Sequence, residues 1–270
     1  MTEKYLIVFP HCFDAIIYFP FFLFFRSTSF CCIWKLLGEA LLLLNVLPFE
    51  VVRLKVPTVL LNETSEEKFR EINKVQALQL ASKAFTRALS LQPENVACWQ
   101  DLALSFHYQL INQEMDEKSL EDLKTKSFNS IRKALALSPK NSDLWNILGV
   151  FASYHQDFGL AQHAFIKSIQ LQSNATAWSN LGIVYLTQNR MDLANKAFKE
   201  AQNQDPTYIQ AWIGQALLAE TAGVDNEAID LFRHCNFLGN ALESAIGFGH
   251  WICKTLQEMA QQEVKDLFRA

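Results

Sequence analysis

The stretch that decides the fold is TAWSNLGIVYLTQNRMDLANKAFKEAQNQDPTYIQAW, residues 176–212. In its first part, large and small apolar residues fall at fixed offsets: Trp178, Leu181, Gly182, Tyr185, Ala194, Phe198, Ala201 and Pro206. Small residues allow two helices to cross closely, and the large ones fill the space between them. A proline just past the second helix ends it. The stretch therefore predicts a helical hairpin.

The same pattern recurs with a period of about thirty-four residues. Trp212 lies thirty-four residues after Trp178, and Trp145 lies thirty-three residues before it. The accompanying residues are Leu148, Gly149, Ala161 and Phe165 after Trp145, and Ala228 and Phe232 after Trp212. This spacing resembles the tetratricopeptide repeat (TPR) family. One such hairpin cannot bury its own apolar face, so several are expected to stack into a solenoid with a concave surface.

The predicted fold class is all-α, a TPR right-handed helical solenoid of about five helix-turn-helix repeats plus a partial sixth. Two repeats are stretched by insertions that fall between their helices. The expected divisions are 1–29, a Phe-rich segment; 30–95 with an insertion at 48–74; 96–141 with an insertion at 110–122; 142–174; 175–208; 209–242; a partial repeat at 243–258; and a truncated tail at 259–270.

Composition and motifs point away from catalysis. The net charge of −4 disfavours a chain held on nucleic acid mainly by its own basic surface. The sequence has no Gly-x-Gly-x-x-Gly, phosphate loop or His-Glu-x-x-His motif, and its six cysteines form no Cys-x-x-Cys pair. We therefore expect no enzyme, no cofactor, no metal site and no direct nucleic-acid site.

In TPR solenoids the first helix of each repeat lines the concave face. Helical spacing predicts that the exposed groove positions are Asp143, Asn146, Val150, Tyr154, Thr176, Ser179, Ile183, Leu186, Gln210, Ile213, Leu217 and Glu220. None of them is Lys or Arg. TPR co-chaperones grip a C-terminal carboxylate with two cations and two asparagines; of the matching positions here, Asn180 alone agrees. An apolar or basic partner segment suits this face better.

The N-terminal residues 1–29 match no repeat. Residues 5–25, YLIVFPHCFDAIIYFPFFLFF, have the length and apolarity of a membrane span, but Pro10, Pro20 and Asp14 oppose one. The alternatives are a gene-model artefact, since pyrimidine-rich intron sequence would translate to such a run, and a soluble arm. No membrane association is expected unless residues 5–25 are a real anchor.

A closer resemblance lies in three stretches: CCIWKLLGEALLLLNVLP at 31–48, residues 142–220, and LFRHCNFLGNALESAIGFGHWICKTLQ at 231–257. The last stretch and the irregular spacing of the repeats make this resemblance more specific. Over most of residues 30–258 the chain resembles the TPR scaffold subunit of the superkiller (Ski) complex of animals. The resemblance implies a non-catalytic scaffold with a DExH-box RNA helicase and a WD-repeat propeller subunit as partners. It also implies an indirect link to the RNA exosome in 3′-to-5′ mRNA decay, and a location in the cytoplasm and also the nucleus. The chain is then expected to be an internal piece of a longer protein.

Two other functions stay open at this point. One is a generic TPR adaptor or co-chaperone of another pathway. The other is a membrane-anchored TPR protein, which depends wholly on residues 5–25.

Overall fold

The computed structural model describes residues 31–46, 54–57, 69–112 and 117–239, together with 249 and 253. The Phe-rich segment 1–29, the tail 259–270 and nearly all of the expected partial repeat lie outside the described residues. The chain divides into two compact units, Met1–Lys140 and Asn141–Ala270.

The described part of the first unit contains two helical hairpins. Helix α1 spans Cys31–Leu43 and continues as a 3₁₀ turn, Leu44–Val46, and α2 spans Lys74–Leu91. The second hairpin pairs α3, Val96–Asn112, with α4, Glu117–Leu137. Helix α2 packs against both α1 and α3, and α1 also touches α3. First helices therefore form one layer of the unit and second helices the other.

The long insertion between α1 and α2 contains two short strands, which the all-α expectation did not include. Strands β1, Leu54–Pro57, and β2, Phe69–Ile72, pair antiparallel. Val56 and Ile72 are buried in the same core cluster as Phe85 of α2. The described part of the insertion thus contributes to the core of the first hairpin, because its β-branched side chains complete the apolar layer over α2.

The described part of the second unit contains three hairpins of nearly constant size. Their helices are α5, Ser142–Tyr154; α6, Phe158–Leu171; α7, Ala175–Thr187; α8, Met191–Gln204; α9, Ile209–Thr221; and α10, Asp225–Leu238. Tryptophan is the fourth residue of α5, α7 and α9, as it is of α1 and α3. The predicted recurrence of Trp145, Trp178 and Trp212 at equivalent places in successive hairpins is confirmed.

Asparagine or aspartate side chains cap several helix N-termini. Asn73 and Gln76 form a reciprocal capping box at α2. The side chains of Asn141, Asp157 and Asn174 accept hydrogen bonds from backbone N–H groups in the first turns of α5, α6 and α7. These oxygens satisfy donors that have no partner within the helix.

The turn inside each hairpin of the second unit has one residue in the left-handed conformation. These residues are Gln156 and Asn189, both at φ 60°, and Gly223 at φ 74°. The N–H of the following residue donates to a carbonyl five residues back at 2.9 Å in all three turns, which is the Schellman arrangement. Each first helix therefore ends at the same point relative to its partner, and the hairpins share one geometry.

The signature residues form the core. Phe165, Phe198 and Phe232 of the second helices are almost fully buried, as are Ala161, Ala194, Ala201 and Ala228. Leu148, Leu181 and Tyr185 of the first helices are buried with them, whereas the three tryptophans are half-buried and Pro206 is exposed. The predicted helical-repeat class is confirmed.

One sequence expectation changes in detail. Most of the expected insertion at 110–122 is helix, because α3 has 17 residues and α4 has 21, against 13 or 14 in the second unit. Within the described residues, no helix combines the length and apolarity that crossing a membrane requires. Residues 5–25 lie outside them.

A candidate protein-binding face on the first helices

The candidate face is built by the first helices of the second unit, α5, α7 and α9. Each packs against its own second helix, and α7 contacts both α5 and α9. The other side of α5, α7 and α9, which faces away from the second helices, is exposed to solvent.

An apolar row crosses this side, with one residue from each hairpin. Val150, Ile183 and Leu217 occupy equivalent positions, 33 and 34 residues apart, and are 38%, 42% and 39% exposed. Burying such side chains is favourable by roughly 25 cal/mol per Å² of apolar area. A regular row of them in three successive repeats is a surface that a partner can cover.

Polar groups flank the apolar row. Asp143 and Gln210 are exposed near the starts of α5 and α9, with Thr176 at the equivalent position of α7. Asn180 Nδ2 donates to Asn146 Oδ1 at 3.0 Å, which joins α7 to α5 across the face. The second amide N–H of Asn180 and both amide N–H groups of Asn146 stay available, among the described residues, as donors to a peptide carbonyl.

Two predicted groove residues are buried, which corrects the sequence expectation. Ser179 is 1% exposed and Ile213 is 6% exposed, and Ile213 belongs to a core cluster with Phe232. Both are equivalent to Asn146, which is half-buried. At this position the first helices face the neighbouring packed helices, so the side chains of Ser179 and Ile213 do not reach an open groove.

Two other predicted groove residues lie one position away from the exposed residue of their helix. Leu186 and Glu220 are half-buried, whereas Tyr154, with which they were aligned, is exposed. Adding the repeat lengths of 33 and 34 to position 154 gives Thr187 and Thr221, which are exposed. The candidate face, defined here as Asp143, Val150, Tyr154, Thr176, Ile183, Thr187, Gln210, Leu217 and Thr221 with the Asn146–Asn180 pair, contains no Lys or Arg.

A separate group of ionisable side chains lies in the first unit, where α1 meets α3. Lys35 Nζ and Glu39 Oε1 form an ion pair at 3.0 Å. Burial, assisted by the Glu39 charge and opposed by Lys35, raises the pKa of Asp101 to about 6. Burial also raises the pKa of the neighbouring Cys98 thiol to about 12, so this thiol is not a ready nucleophile.

In the described part of the chain, no cluster of three or more His, Cys, Asp or Glu side chains could hold a metal ion. The thiol of Cys235 is buried, which raises its pKa to about 11. A thiolate is therefore disfavoured at this position as well.

Comparison with known proteins agrees with this geometry. Residues 175–208 match the family model described as "Tetratricopeptide repeat". A solved structure of the type IV pilus biogenesis factor PilW covers 68% of this chain and 87% of its own, with a TM-score of 0.51 and 20% sequence identity, which bears on the fold alone. The chain is a tetratricopeptide-repeat protein.

Within that class the chain is similar in sequence to the Superkiller complex protein 3 proteins. It is 40% identical over 234 residues to Tetratricopeptide repeat protein 37 of Xenopus laevis, covering 84% of this chain. It is 38% identical over 240 residues to Superkiller complex protein 3 of Mus musculus, covering 87% of this chain. The chain spans about 15% of the length of each of these relatives.

Proposed function

We propose that this chain is a non-catalytic scaffold segment of a Ski-type complex, which assists the cytoplasmic exosome in 3′-to-5′ mRNA decay. The name of the Mus musculus relative, Superkiller complex protein 3, assigns that protein to the superkiller complex. By the family resemblance, its direct partners are a DExH-box RNA helicase and a WD-repeat propeller subunit, and the exosome is reached through them.

The observation that carries the proposal is the exposed row of Val150, Ile183 and Leu217 at one position of three consecutive hairpins. It has the regularity of a surface that accepts an extended or helical segment. Because the candidate face carries Asp143 and no cation, a segment with apolar side chains and basic flanks is its best occupant.

The co-chaperone alternative is less well supported. A carboxylate clamp needs cations facing the ligand, and here Asn180 already donates to Asn146. An acidic C-terminal peptide would meet an uncharged amide pair and the Asp143 carboxylate, so charge repulsion would oppose its binding.

The test uses the full 270-residue chain and the purified helicase and propeller subunits. Ile183→Asp with Leu217→Asp places two charges in the apolar row without touching the core. Leu193→Asp is the matched control, because Leu193 is 38% exposed but lies on the second helix α8. We expect the native chain and the control to retain at least one subunit, and the double variant to bind it at least tenfold more weakly.

Retention of neither subunit by the native chain would contradict the proposal. Equal loss in the Leu193→Asp control would contradict the assignment of the face. Circular dichroism of each variant, with unchanged helix content, separates lost binding from lost folding. Tight binding of an acidic C-terminal peptide would favour the co-chaperone role instead.

A further inference from the structure

Positive charge in this chain is concentrated on α2 and on the part of α4 that follows its first six residues, which carry Glu117, Glu121 and Asp122. Residues 74–91 and 123–140 together contain eight Lys and Arg residues and no Asp or Glu: Lys74, Lys83, Arg87, Lys124, Lys126, Arg132, Lys133 and Lys140. The whole chain has 24 cations and 28 acids, so the rest carries 16 cations against 28 acids. The modest net charge of −4 therefore hides a strongly segregated distribution.

Four of these cations are exposed and unpaired within α2 and α4, and Lys140, which follows the end of α4, is a fifth. Lys83 and Arg87 are one helical turn apart on α2, and Arg132 and Lys133 are adjacent on α4; all four are exposed. None of the four side chains makes an ion pair or hydrogen bond with a described residue. By contrast, the ammonium groups of Lys124 and Lys126 bind Glu121 and Asp122 at 3.2 and 2.6 Å.

Packing turns these four side chains outward. Helix α2 buries Ala81, Ala84 and Phe85 against α1 and α3, and α4 buries its own apolar side against α3. Lys83, Arg87, Arg132 and Lys133, named here the outer cationic face, occupy the remaining side of each helix. They lie in the layer of second helices, opposite the layer of first helices.

The second unit has no comparable surface among its described second helices. Helix α8 carries Asp192 and Glu200 with Lys196 and Lys199, so its side-chain charges balance. Helix α10 carries Asp225, Glu227 and Asp230 against Arg233. The cationic character is therefore not a general property of the repeat.

In contrast to the sequence expectation of no direct nucleic-acid site, we propose that the outer cationic face binds the phosphate backbone of single-stranded RNA. The hydroxyls of Thr86 and Thr125 donate to the carbonyls of Ser82 and Glu121. The exposed amide side chains one helical turn from the cations are Gln79 on α2 and Asn129 on α4. Such groups commonly accompany Lys and Arg at phosphates. The choice of RNA as the source of the phosphates rests on the proposed function in RNA decay.

An acidic protein segment fits this face less well. Stable peptide docking usually needs buried apolar or aromatic anchors. On α2 and α4 the large apolar side chains that are exposed, in the described part of the chain, are Leu91 and Leu137, each the last residue of its helix. A polymer that supplies only charge and hydrogen-bond acceptors matches the middle of the face.

The experiment measures binding of a fluorescein-labelled uridine oligomer of about 20 nucleotides to the full chain by anisotropy, between about 0.05 and 0.2 M salt. The test variant combines Lys83→Gln, Arg87→Gln, Arg132→Gln and Lys133→Gln. A first control combines Lys196→Gln and Lys199→Gln, two exposed cations of α8. A second test variant, Lys83→Gln with Arg87→Gln alone, removes the same two positive charges as this control and is compared with it directly.

We expect the four-residue variant to bind at least tenfold more weakly at about 0.1 M salt. The slope of log K against log salt should fall in magnitude by roughly 3, since each phosphate contact of a single strand contributes about 0.7. The Lys83→Gln, Arg87→Gln pair should lose about half of that slope, and the α8 control should stay within twofold of the native chain. A DNA oligomer of the same length should bind similarly, because the contacts are to phosphates.

Absence of salt-dependent binding by the native chain would overturn the inference. So would equal losses in the α8 control, or tighter binding of a glutamate-rich peptide than of the oligonucleotide at the same charge. Retention of the helicase and propeller subunits is measured in parallel on the same variants. If they are retained while RNA is not bound, the inference fails and the scaffold proposal stands.

Discussion

The ring of Phe198 lies between two glycines that belong to different hairpins. A Cβ atom placed on Gly182, in the same hairpin, would stand 2.6 Å from Phe198 Cε1, and one placed on Gly214, in the next hairpin, would stand even closer to the same atom. Phe198 is fully buried. The two glycines therefore set how closely α7 and α9 approach α8 from either side.

Gly182→Ala and Gly214→Ala should each destabilise the chain by roughly 1–3 kcal/mol, because the added methyl group displaces a ring that has no free space. Urea denaturation measures the change. When Phe198→Leu is combined with either glycine variant, the loss of stability should be smaller than the sum of the two single losses, because the ring atoms that clash with the new methyl group are gone.

Gly159→Ala is the control for the glycine substitutions. Gly159 lies in the exposed first turn of α6, where a new Cβ would meet only Asp157 Oδ1 at 3.7 Å. We expect a gain of about 0.5–1 kcal/mol from helix propensity. A Gly182→Ala variant as stable as the native chain would refute the close crossing.

The left-handed turn residues give a second prediction: substitutions at equivalent positions should change folding stability in opposite directions. Gln156 adopts φ 60° and Gly223 adopts φ 74°, and nothing lies within 4 Å of a Cβ built on Gly223. Gly223→Ala should therefore cost about 1 kcal/mol from backbone strain alone, and Gln156→Gly should gain up to about 0.5 kcal/mol by relieving it. Asn189→Gly should change stability least, since asparagine tolerates this conformation. Thermal melting of the three variants ranks them, and a stabilised Gly223→Ala variant would contradict the assigned turn.

The strand pair in the long insertion leads to a third prediction. Ile72 is 2% exposed and sits in the core of the first hairpin with Val56. Ile72→Ala should cost about 2–4 kcal/mol through the cavity it leaves. The exposed Arg70 on β2 is the control, and Arg70→Ala should cost less than about 1 kcal/mol. If the urea midpoint of the Ile72→Ala variant equals that of the native chain, the insertion is not part of the core.

The hairpins were predictable because their signal is repeated and local. A period of 33 or 34 residues places Trp145, Trp178 and Trp212 identically, and the Gly and Ala positions follow from close helix crossing. The candidate face was predicted only in part, since exposure depends on the neighbouring hairpin. Ser179 and Ile213 are polar and apolar residues at one position, and packing buries both.

Other features lie beyond sequence periodicity. The indole Nε1 of Trp212 donates to the carbonyl of Pro206 at 2.8 Å, and Trp99 bonds Pro93 in the same way. Trp178 uses the Ser173 hydroxyl at 3.0 Å. The signature tryptophan thus also closes the turn between hairpins. That role depends on side-chain geometry, which helical spacing does not specify, so the pattern predicted the tryptophan only as core.

The buried carboxyl of Asp101 makes stability depend on pH. Its pKa is about 6 in the folded chain and 3.8 in the unfolded one, chiefly because burial disfavours the charge. Between these values the folded state binds more protons, so this group makes stability fall as pH rises from about 4 to 6. Above that window the whole penalty is present.

Asp101→Asn should therefore be more stable than the native chain at pH 7.5, by on the order of 1 kcal/mol because solvent still reaches part of the carboxyl. The two should converge near pH 4. Glu39→Gln removes a charge that raises the pKa of Asp101, so it should narrow the pH range over which this carboxyl changes stability. Lys35→Met removes a charge that lowers this pKa, so it should widen that pH range. Urea midpoints measured from pH 4 to 7.5 give all four curves. If Asp101→Asn changes stability equally at every pH, the carboxyl does not titrate in this window, and the ion pair of Lys35 with Glu39 leaves it ionised throughout.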